Sequence, residues 1–423
     1  MQWNQWYSFR SYIRSTLWTV PFVALLMYIV VIQTFDWIKE EFVAVSLWPW
    51  SSPSGAQVVL QTIVTLTLTF IVFTFGSLLV AIQVASGQLT PRIIATALLR
   101  DNVIRVTVGL FIFTLLFATG VLGRIEEEAR YFLIGIAGIL GYCSIVAFLF
   151  LIDHAARLLR PVSIVKRIGD LGNGVIEQVY PDSFDSRDVR HETQLNLVPD
   201  RTILHHGESA IVLAVNLKAL VSEARRFGIV IELAQRVGSF VASDEPLFRL
   251  YGDAGKIEER RLVRNIAFGP ERTIEQDSAF AFRIIVDVGI KALSKAINDP
   301  TTAVVAIDQL HRLLRKVGCR RLHGDEVVDG SGQLRLIFRT PDWDDFVQLA
   351  IREIRFYGAE NFQVARRLRA MIENLIQTLP DERQPALRTE LDLLDRALKS
   401  IHVMSEDLAL ASVSDLQGLG AAS

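Results

Sequence analysis

Six polar residues in two short stretches of the sequence could hold an anion or a small polar ligand. They are Arg272, Gln276 and Asp277 in "ERTIEQD", and Asn298, Asp299 and Thr301 in "KALSKAINDPTTAV". An arginine offers a planar fork of hydrogen-bond donors, and the free amides at a helix N-terminus attract anions. If the fold brings the two stretches together, these residues form one ligand site.

The same stretches also have a purely structural interpretation, as junctions between helices. Asp299 followed by Pro300 is typical of a helix start, with the aspartate as N-cap and the proline in the first turn. Thr273 and Gln276 have the spacing of a capping box. The junction is the favoured interpretation and the ligand site the second, because Asp299 would repel a strongly negative ligand.

The sequence contains no recognisable catalytic pattern, such as a P-loop, GxSxG or HExxH. Two separated cysteines, Cys143 and Cys319, cannot build a thiolate metal site or a disulfide framework. The adjacent His205 and His206 are only a weak metal signal. We therefore expect no enzyme, no metal and no other cofactor. A net charge of −2 argues against nucleic acid as a partner.

A further polar group lies inside an uncharged apolar run. Thr62, Thr65 and Thr69 recur at helical spacing in "QTIVTLTLTFIVFTFGSLLVAIQVASGQ", and Ser77 and Gln83 follow. The favoured interpretation is that the hydroxyls bond back to their own helix or to a neighbouring one. The alternative is that this face lines a hydrated path once subunits assemble.

The chain as a whole is apolar enough to be a membrane protein, with 51% hydrophobic residues and a mean hydropathy of +0.32. Four uncharged runs reach the roughly 20 residues that a bilayer requires. They are 15–35, 58–85, 106–123 and 131–152. In the fourth run, Gly135, Gly138 and Gly141 predict close packing against another helix.

The distribution of lysine and arginine predicts that both termini are cytoplasmic. Nine such residues flank one set of span ends, and three lie in the two loops on the other side. Cytoplasmic loops carry the positive excess in membrane proteins. Asp153 and His154, where the fourth span ends, are interpreted as an interfacial contact in preference to a proton relay.

The predicted fold class is an α-helical membrane domain of four transmembrane helices, residues 1–160, followed by a cytoplasmic α+β region. Residues 161–255 are expected to form a linker helix and a small β-rich domain, because strand-like apolar runs alternate with turns. Residues 256–408 have apolar positions three or four apart, which predicts a mainly helical domain. Residues 409–423 are expected to be a flexible tail.

The last long helix carries an apolar stripe that favours either self-association or packing within its own domain. The stripe consists of Leu387, Leu391, Leu394, Leu398, Ile401 and Met404. A coiled-coil seam and an ordinary amphipathic helix both produce such a stripe. The sequence leaves the two alternatives equal.

Two longer motifs resemble a known family. "FGSLLVAIQVASGQLTPR" and "FGPERTIEQDSAFAFRIIVDVGIKALSKAINDPTTAVVAIDQL", with the four-span layout, are similar to the predicted bacterial membrane proteins grouped as domain of unknown function 2254. The resemblance extends over nearly the entire chain. It implies a multi-pass protein of the bacterial plasma membrane and brings no reaction, ligand or catalytic residue with it.

Three functions are compatible with these patterns. The first is an oligomeric channel or transport-type protein whose cytoplasmic part senses or gates. The second is a non-conducting signalling or scaffold protein whose cytoplasmic part binds a partner or a small polar ligand. The third, a membrane enzyme acting on lipids, is the weakest, because no nucleophile or metal set is recognisable. Four spans are few for a single-chain transporter, so conduction would require a homo-oligomer in the lipid bilayer.

Overall fold

The computed structural model describes residues 26, 27, 29, 30, 53–88, 101–124, 131–158, 160–184, 198–322 and 325–420. The chain divides into two compact units. Residues Ser11–Ile164 are called the membrane unit below, and the segment Val165–Ser423, the core of the other unit, is called the C-terminal unit.

Three apolar helices make up the described part of the membrane unit: α1 (Pro53–Gln88), α2 (Asn102–Leu122) and α3 (Tyr131–Leu158). Each is long and apolar enough to cross a membrane, with mean hydropathies of 2.3, 2.0 and 2.3. Only four helical residues of the predicted first span, 15–35, are described, and the rest of that prediction lies outside the described residues. The described chain therefore supports three spans, and the predicted count of four is not confirmed.

Small and aromatic side chains determine how closely these helices approach. A Cβ atom on Gly141 of α3 would lie 3.0 Å from Cγ1 of Ile63 in α1. The glycine therefore allows the close helix contact that its spacing predicted. Further along, Phe70 of α1 stacks on Phe148 of α3 with ring centroids 4.2 Å apart, and Phe111 of α2 lies 5.6 Å from Phe70.

The division between the two units falls within α4 (Pro161–Val179). In the C-terminal unit, this helix buries Ile168 and Ile176 completely and places Asp170 at the surface. Asp170 accepts a hydrogen bond of 2.5 Å from Arg312. One apolar face and one charged face explain why the sequence there forms an amphipathic helix.

Eight short strands form two sheets in the described part of the C-terminal unit. They are β1 (Arg201–Leu204), β2 (Ala210–Val215), β3 (Val230–Leu233), β4 (Phe240–Val241), β5 (Pro246–Tyr251), β6 (Ile266–Gly269), β7 (Glu326–Val328) and β8 (Leu334–Phe338). The larger sheet has the order β1-β5-β3-β8-β7, with β3 and β8 parallel and the other pairs antiparallel. The smaller antiparallel sheet has the order β4-β2-β6.

Each sheet contains strands from before and after residue 255, the predicted boundary between a β-rich and a mainly helical domain. β6 pairs with β2, and β8 pairs with β3. The pairing of β8 satisfies the backbone of β3 along an edge that would otherwise be open. The apolar core of this region includes Leu220 of the helix α5 (Leu217–Phe227), with Phe248 and Leu250 of β5. Strand pairing therefore unites segments that the sequence patterns separate.

The helical part follows the short helix α6 (Glu259–Val263). Its helices are α7 (Ser278–Ala292), α8 (Pro300–Gly318), α9 (Trp343–Gly358), α10 (Phe362–Thr378), α11 (Gln384–Ile401) and α12 (Ser405–Ala411). α7 packs against α8 and α9, and α10 packs against α8 and α11. The C-terminus of α7 lies beside that of α9, because a Cβ on Gly358 would be 3.2 Å from Leu293.

Ion pairs connect these helices across their interfaces. Arg283 of α7 donates to Glu353 of α9, and Arg367 of α10 donates to Asp308 of α8 at 2.7 Å. The Glu353 hydrogen bond from Arg283 holds the pKa of that carboxyl below its usual value. Such pairs fix the register of helices whose apolar faces alone could slide.

The C-terminal segment 412–420 differs from the predicted flexible tail, 409–423. Arg366 of α10 is fully buried and donates to the carbonyl oxygens of Val413 and Gly420, at 3.1 and 3.0 Å. Asp415 accepts hydrogen bonds from the backbone N–H groups of residues 417, 418 and 420. The flexible tail was predicted because chain termini are often poorly ordered, whereas hydrogen bonds to Arg366 and Glu373 hold this segment on α10.

The apolar stripe of α11 divides into two parts. Leu387, Leu394 and Leu398 are fully buried within the C-terminal unit, so packing inside the domain accounts for them. Leu391 is half-buried, Ile401 at the end of the helix is exposed, and Met404 lies beyond the helix and is exposed as well. The stripe as a whole therefore gives little reason for self-association, although its last residues remain uncovered.

Candidate functional site

The six residues of the predicted ligand site fall into two groups at opposite ends of α7. Arg272, Gln276 and Asp277 precede this helix, whereas Asn298, Asp299 and Thr301 follow it. A helix of 15 residues is about 22 Å long at 1.5 Å per residue. The two stretches therefore do not converge on one ligand, since a rigid helix separates them.

The first group is built around an ion pair between the half-buried Arg272 and the buried Asp277. Arg272 donates to Oδ2 of Asp277 through Nε at 3.0 Å and through Nη2 at 2.6 Å. The other carboxylate oxygen, Oδ1, accepts from the backbone N–H of Phe280 at 3.0 Å and so caps α7. The Arg272 guanidinium also lies over the Phe280 ring, 5.3 Å from its centroid.

The helix begins at Ser278, so the predicted capping box of Thr273 and Gln276 is wrong. Gln276 instead accepts a hydrogen bond from the backbone N–H of Val215, at the end of β2, at 3.0 Å. The hydroxyl oxygen of Thr273 is buried with no hydrogen-bond partner in the described chain. Asp277 is the N-cap of α7, so Thr273 lies too far from the helix start to cap it.

Burial controls the ionisation of this first group. Burial raises the pKa of Asp277, and the Arg272 guanidinium opposes the shift by favouring the charged form. Burial also raises the pKa of Tyr180 to about 12, with the Asp277 charge adding to the shift and a hydrogen bond to Ser278 opposing it. The phenol of Tyr180 therefore keeps its proton at physiological pH.

A turn before β4 closes over the same ion pair. Gly238 has a φ of +84°, and a Cβ atom there would lie 2.2 Å from Oδ2 of Asp277 and 2.4 Å from Nη2 of Arg272. The site therefore connects β2, α7 and this turn and leaves little space beside the pair. The sequence patterns did not single out Gly238 as a site residue. The available signal was a glycine directly after a strand-like run, which indicates a turn.

The second group is a helix junction. Oδ1 of Asp299 accepts from the backbone N–H of Thr302 at 3.0 Å, and Pro300 occupies the first turn, as predicted. Asn298 has a φ of +47°, and the N–H of Asp299 donates to the carbonyl of Ala292 at 2.8 Å. These bonds reverse the chain between α7 and α8, and Thr301 is exposed beside them.

Substitution Asp299→Ala is expected to destabilise the C-terminal unit by about 0.5–2 kcal/mol, because it removes the cap of α8. Hydrogen exchange of the first turn of α8 in the full chain would measure the loss. Thr301→Ala, at the exposed neighbouring position, is the matched control and should have a smaller effect. Equal protection in all three proteins would contradict a stabilising cap.

In the membrane unit, the predicted threonine face bonds to its own helix. The hydroxyls of Thr62, Thr65 and Thr69 each donate to the carbonyl four residues earlier, at 2.8, 2.9 and 2.8 Å. Ser77 donates to the carbonyl of Thr74 at 3.0 Å. The three threonines, Ser77 and Gln83 are exposed on α1, so their oxygens can still accept hydrogen bonds from outside.

Two glutamines extend this polar face, and sequence reasoning did not single them out. Gln57 and Gln61 are exposed on α1 and continue to Thr65 and Thr69 in steps of four residues. This spacing keeps the four side chains on neighbouring positions of one helix face. We call Gln57, Gln61, Thr65 and Thr69 the polar stripe. The four-residue period was the signal that could have found it.

His154 pairs with Asp101, and not with its chain neighbour Asp153. Its Nε2 lies 3.1 Å from Oδ1 of Asp101, the same oxygen that caps α2 through the backbone N–H of Val103 at 2.9 Å. Asp153 pairs with Arg157. The contact connects the start of α2 to the end of α3.

The side chains of His205 and His206, which the sequence marks as a weak candidate metal site, contact other groups in the structure. Nε2 of His205 lies 2.8 Å from the carbonyl oxygen of Glu208, and Nδ1 of His206 lies 3.3 Å from Asp244. No group of three histidine, cysteine or acidic side chains could hold a metal ion in the part of the chain that the structure describes.

Comparison with known proteins agrees with the membrane character of the chain. A family model described as "Predicted membrane protein (DUF2254)" matches residues 14–374. Uncharacterized proteins of Mycobacterium bovis and Mycobacterium tuberculosis are each 25% identical over 415 residues, which cover 95% of this chain and 79% of the relatives. No solved structure matches.

Proposed function

We propose that this chain, which belongs to the DUF2254 family of predicted membrane proteins, assembles into a channel or transport-type homo-oligomer. In this proposal the polar stripe of α1 faces a water-accessible path, and the C-terminal unit senses a signal or gates the path. The chain would lie in a bacterial plasma membrane with both termini in the cytoplasm. The support for this orientation is the excess of lysine and arginine at one set of span ends.

The observation that carries the proposal is the exposure of the polar stripe on a membrane helix. Two amides and two hydroxyls of α1 point away from α2 and α3. Polar groups facing hydrocarbon are costly, and membrane helices usually turn them toward protein or water. An assembly with the stripe inside removes this cost and creates a polar lining.

The stripe covers only part of the helix, which favours a gated path over an open pore. Between Thr69 and Gln83, the same face carries the exposed apolar residues Val72 and Leu79. Apolar constrictions in channels can close by losing their water. The path would thus have a polar entrance, an apolar constriction and an amide at the far end.

The threonine oxygens indicate what such an entrance would favour. Each hydroxyl hydrogen is used within the helix, which leaves lone pairs as acceptors on the exposed side. Together with the amide oxygens, these acceptors could replace part of the hydration of a small cation. The described part of α1 has no charged side chain, so discrimination between ions is expected to be weak.

Thiol accessibility in membranes tests the proposal. In a background with Cys143→Ser and Cys319→Ser, single variants Gln61→Cys and Thr65→Cys should react with a small charged thiol reagent. Val146→Cys on α3, which is 68% exposed on the protein, is the matched control and should stay protected by lipid. Reconstituted liposomes should then show ion flux that the same reagent blocks at Gln61→Cys.

If Gln61→Cys and Thr65→Cys are as well protected as Val146→Cys, the polar stripe does not face water and the proposed path is rejected. The non-conducting alternative, a membrane signalling or scaffold protein, would then replace the channel. It predicts no flux in the same liposomes.

A further inference from the structure

One end of the helical part carries an unusual amount of exposed apolar surface. It is the end at which α7 and α9 finish and α10 begins. Exposed apolar residues there come from three separate segments of the chain: Phe356 and Tyr357, Val403 and Met404, and Leu416 and Leu419. We call these six residues the apolar end. Large exposed apolar patches on proteins mark interaction sites.

Contacts around the start of α10 bring these three segments together. Nε2 of His402 lies 3.2 Å from the carbonyl oxygen of Ala359, and its ring stacks on Phe362 at 5.0 Å. The side chain of Gln363 donates to the carbonyl of Gly418 at 2.6 Å. Residues 356–357, 403–404 and 416–419 therefore border the same turn.

The C-terminal segment 412–420 turns polar side chains toward the protein and apolar side chains toward solvent, the reverse of most protein surfaces. Its polar groups face inward: Asp415 is buried, and Ser414 donates to Glu373 of α10. Its apolar side chains face outward, with Leu416 75% and Leu419 70% exposed. Because apolar side chains are normally the ones buried, this inversion means that the segment presents them to something else.

We propose that the apolar end is an interface with a second copy of this chain, where the two C-terminal segments pack against each other's apolar ends. This inference rests on the homo-oligomer of the proposed function and names a surface that would hold it together. A twofold axis would bring the same patch of both copies into contact.

The size of the surface suits such a contact. A full aromatic side chain has roughly 150–250 Å² of surface and an aliphatic one somewhat less, so the six side chains, 51% to 94% exposed, present on the order of 700 Å². A standard stable interface buries about 800 Å² on each partner. The apolar end can therefore form the apolar centre of a specific contact, with the polar residues around it as the rim.

The charges around the patch favour a second copy over an anionic membrane surface. Exposed charged residues of both signs adjoin the patch along the chain: Arg352 one turn before Phe356, Glu360 after Tyr357, and Lys399 and Glu406 on either side of residues 403–404. A mixed rim is complementary to itself across a twofold axis, since a lysine of one copy can face a glutamate of the other. An anionic bilayer would instead favour a rim that is basic throughout.

Crosslinking of the full chain in membranes is the direct test. In the background lacking Cys143 and Cys319, Met404→Cys and Leu416→Cys should form dimers with a short bismaleimide. Phe240→Cys on β4 is 62% exposed but far from the patch in the fold, and it should not. Dimer yields at Met404 and Leu416 no higher than at Phe240 would overturn the proposal. So would protection of Leu416→Cys without crosslinking, which is the result expected if lipid covers the patch.

A charge variant measures the strength of the contact. Phe356→Glu combined with Leu416→Glu should weaken association in mild detergent at least tenfold, because it places carboxylates where apolar groups meet. Phe240→Glu is the matched control and should leave the mass unchanged. Unchanged thermal unfolding of the double variant would confirm that it is folded. Unchanged mass of a folded double variant overturns the interface.

The two proposals fail in different ways. If the double variant remains oligomeric and Gln61→Cys stays reactive, the path is retained and the apolar end is not its interface. If the double variant dissociates, and Gln61→Cys is protected in a protein whose apolar end is unchanged, the interface stands and the channel fails.

Discussion

Replacement of Gly238 by alanine is expected to destabilise the C-terminal unit by about 3 kcal/mol or more. Two costs combine, because the left-handed backbone at φ +84° disfavours any side chain and the new methyl overlaps the Asp277 carboxylate. The carboxylate cannot move freely, since it caps α7 and accepts from Arg272. Urea unfolding of the full chain in detergent, followed by hydrogen exchange in α7, would measure the effect.

Gly228→Ala is the matched control for this substitution. Gly228 also has a left-handed backbone, at φ +67°, but no atom lies within 4 Å of its Cβ position. It should therefore show only the conformational cost, of roughly 1 kcal/mol. Similar losses for the two variants would mean that the Arg272–Asp277 pair tolerates displacement, and the site would then be looser than its geometry indicates.

Substitution Arg366→Met is expected to cost about 3–5 kcal/mol, because it removes two hydrogen bonds from a charged donor, each worth roughly 1.5–3 kcal/mol. The change leaves the carbonyls of Val413 and Gly420 without their donor and removes the positive charge that helps to lower the pKa of Asp415. Hydrogen exchange should rise first in residues 412–420. Because this segment presents Leu416 and Leu419, dimer crosslinking at Leu416→Cys should fall with it.

Arg396→Met is the matched control, because it removes the same charge from an exposed position and so shows how much of the loss of stability comes from burial. Arg396 pairs with Asp392 one turn away on α11, with both side chains about two-thirds exposed. Arg396→Met should therefore change stability by less than about 1 kcal/mol. If Arg366→Met were equally mild, the segment 412–420 would not depend on the buried guanidinium.

The sequence predicted well those features that depend on short-range patterns. The apolar runs of α1, α2 and α3 identified candidate spans, because length and hydropathy alone decide whether a helix can cross a bilayer. The cap at Asp299 followed from two adjacent residues, and the close contact at Gly141 followed from glycine spacing. Each of these predictions depends only on residues within one helix or at its start.

The sequence was less informative where partners are distant along the chain. Thr273 and Gln276 have the spacing of a capping box, yet Gln276 is used by Val215, 61 residues away. His154 stands next to Asp153 but pairs with Asp101, 53 residues away. A local pattern cannot show which of several polar neighbours the fold will bring closer.

The sequence by itself determined the membrane character, the helix-rich C-terminal half and the family of this protein, since all three are properties of local composition and motif. Only the tertiary structure decided that α7 separates the two predicted ligand groups, and that residues 412–420 bind α10 with their apolar side chains outward. The reason is physical. Hydropathy and helical period describe how one segment meets solvent or lipid, whereas a site is formed by side chains from distant segments, and their distances depend on how the whole chain packs.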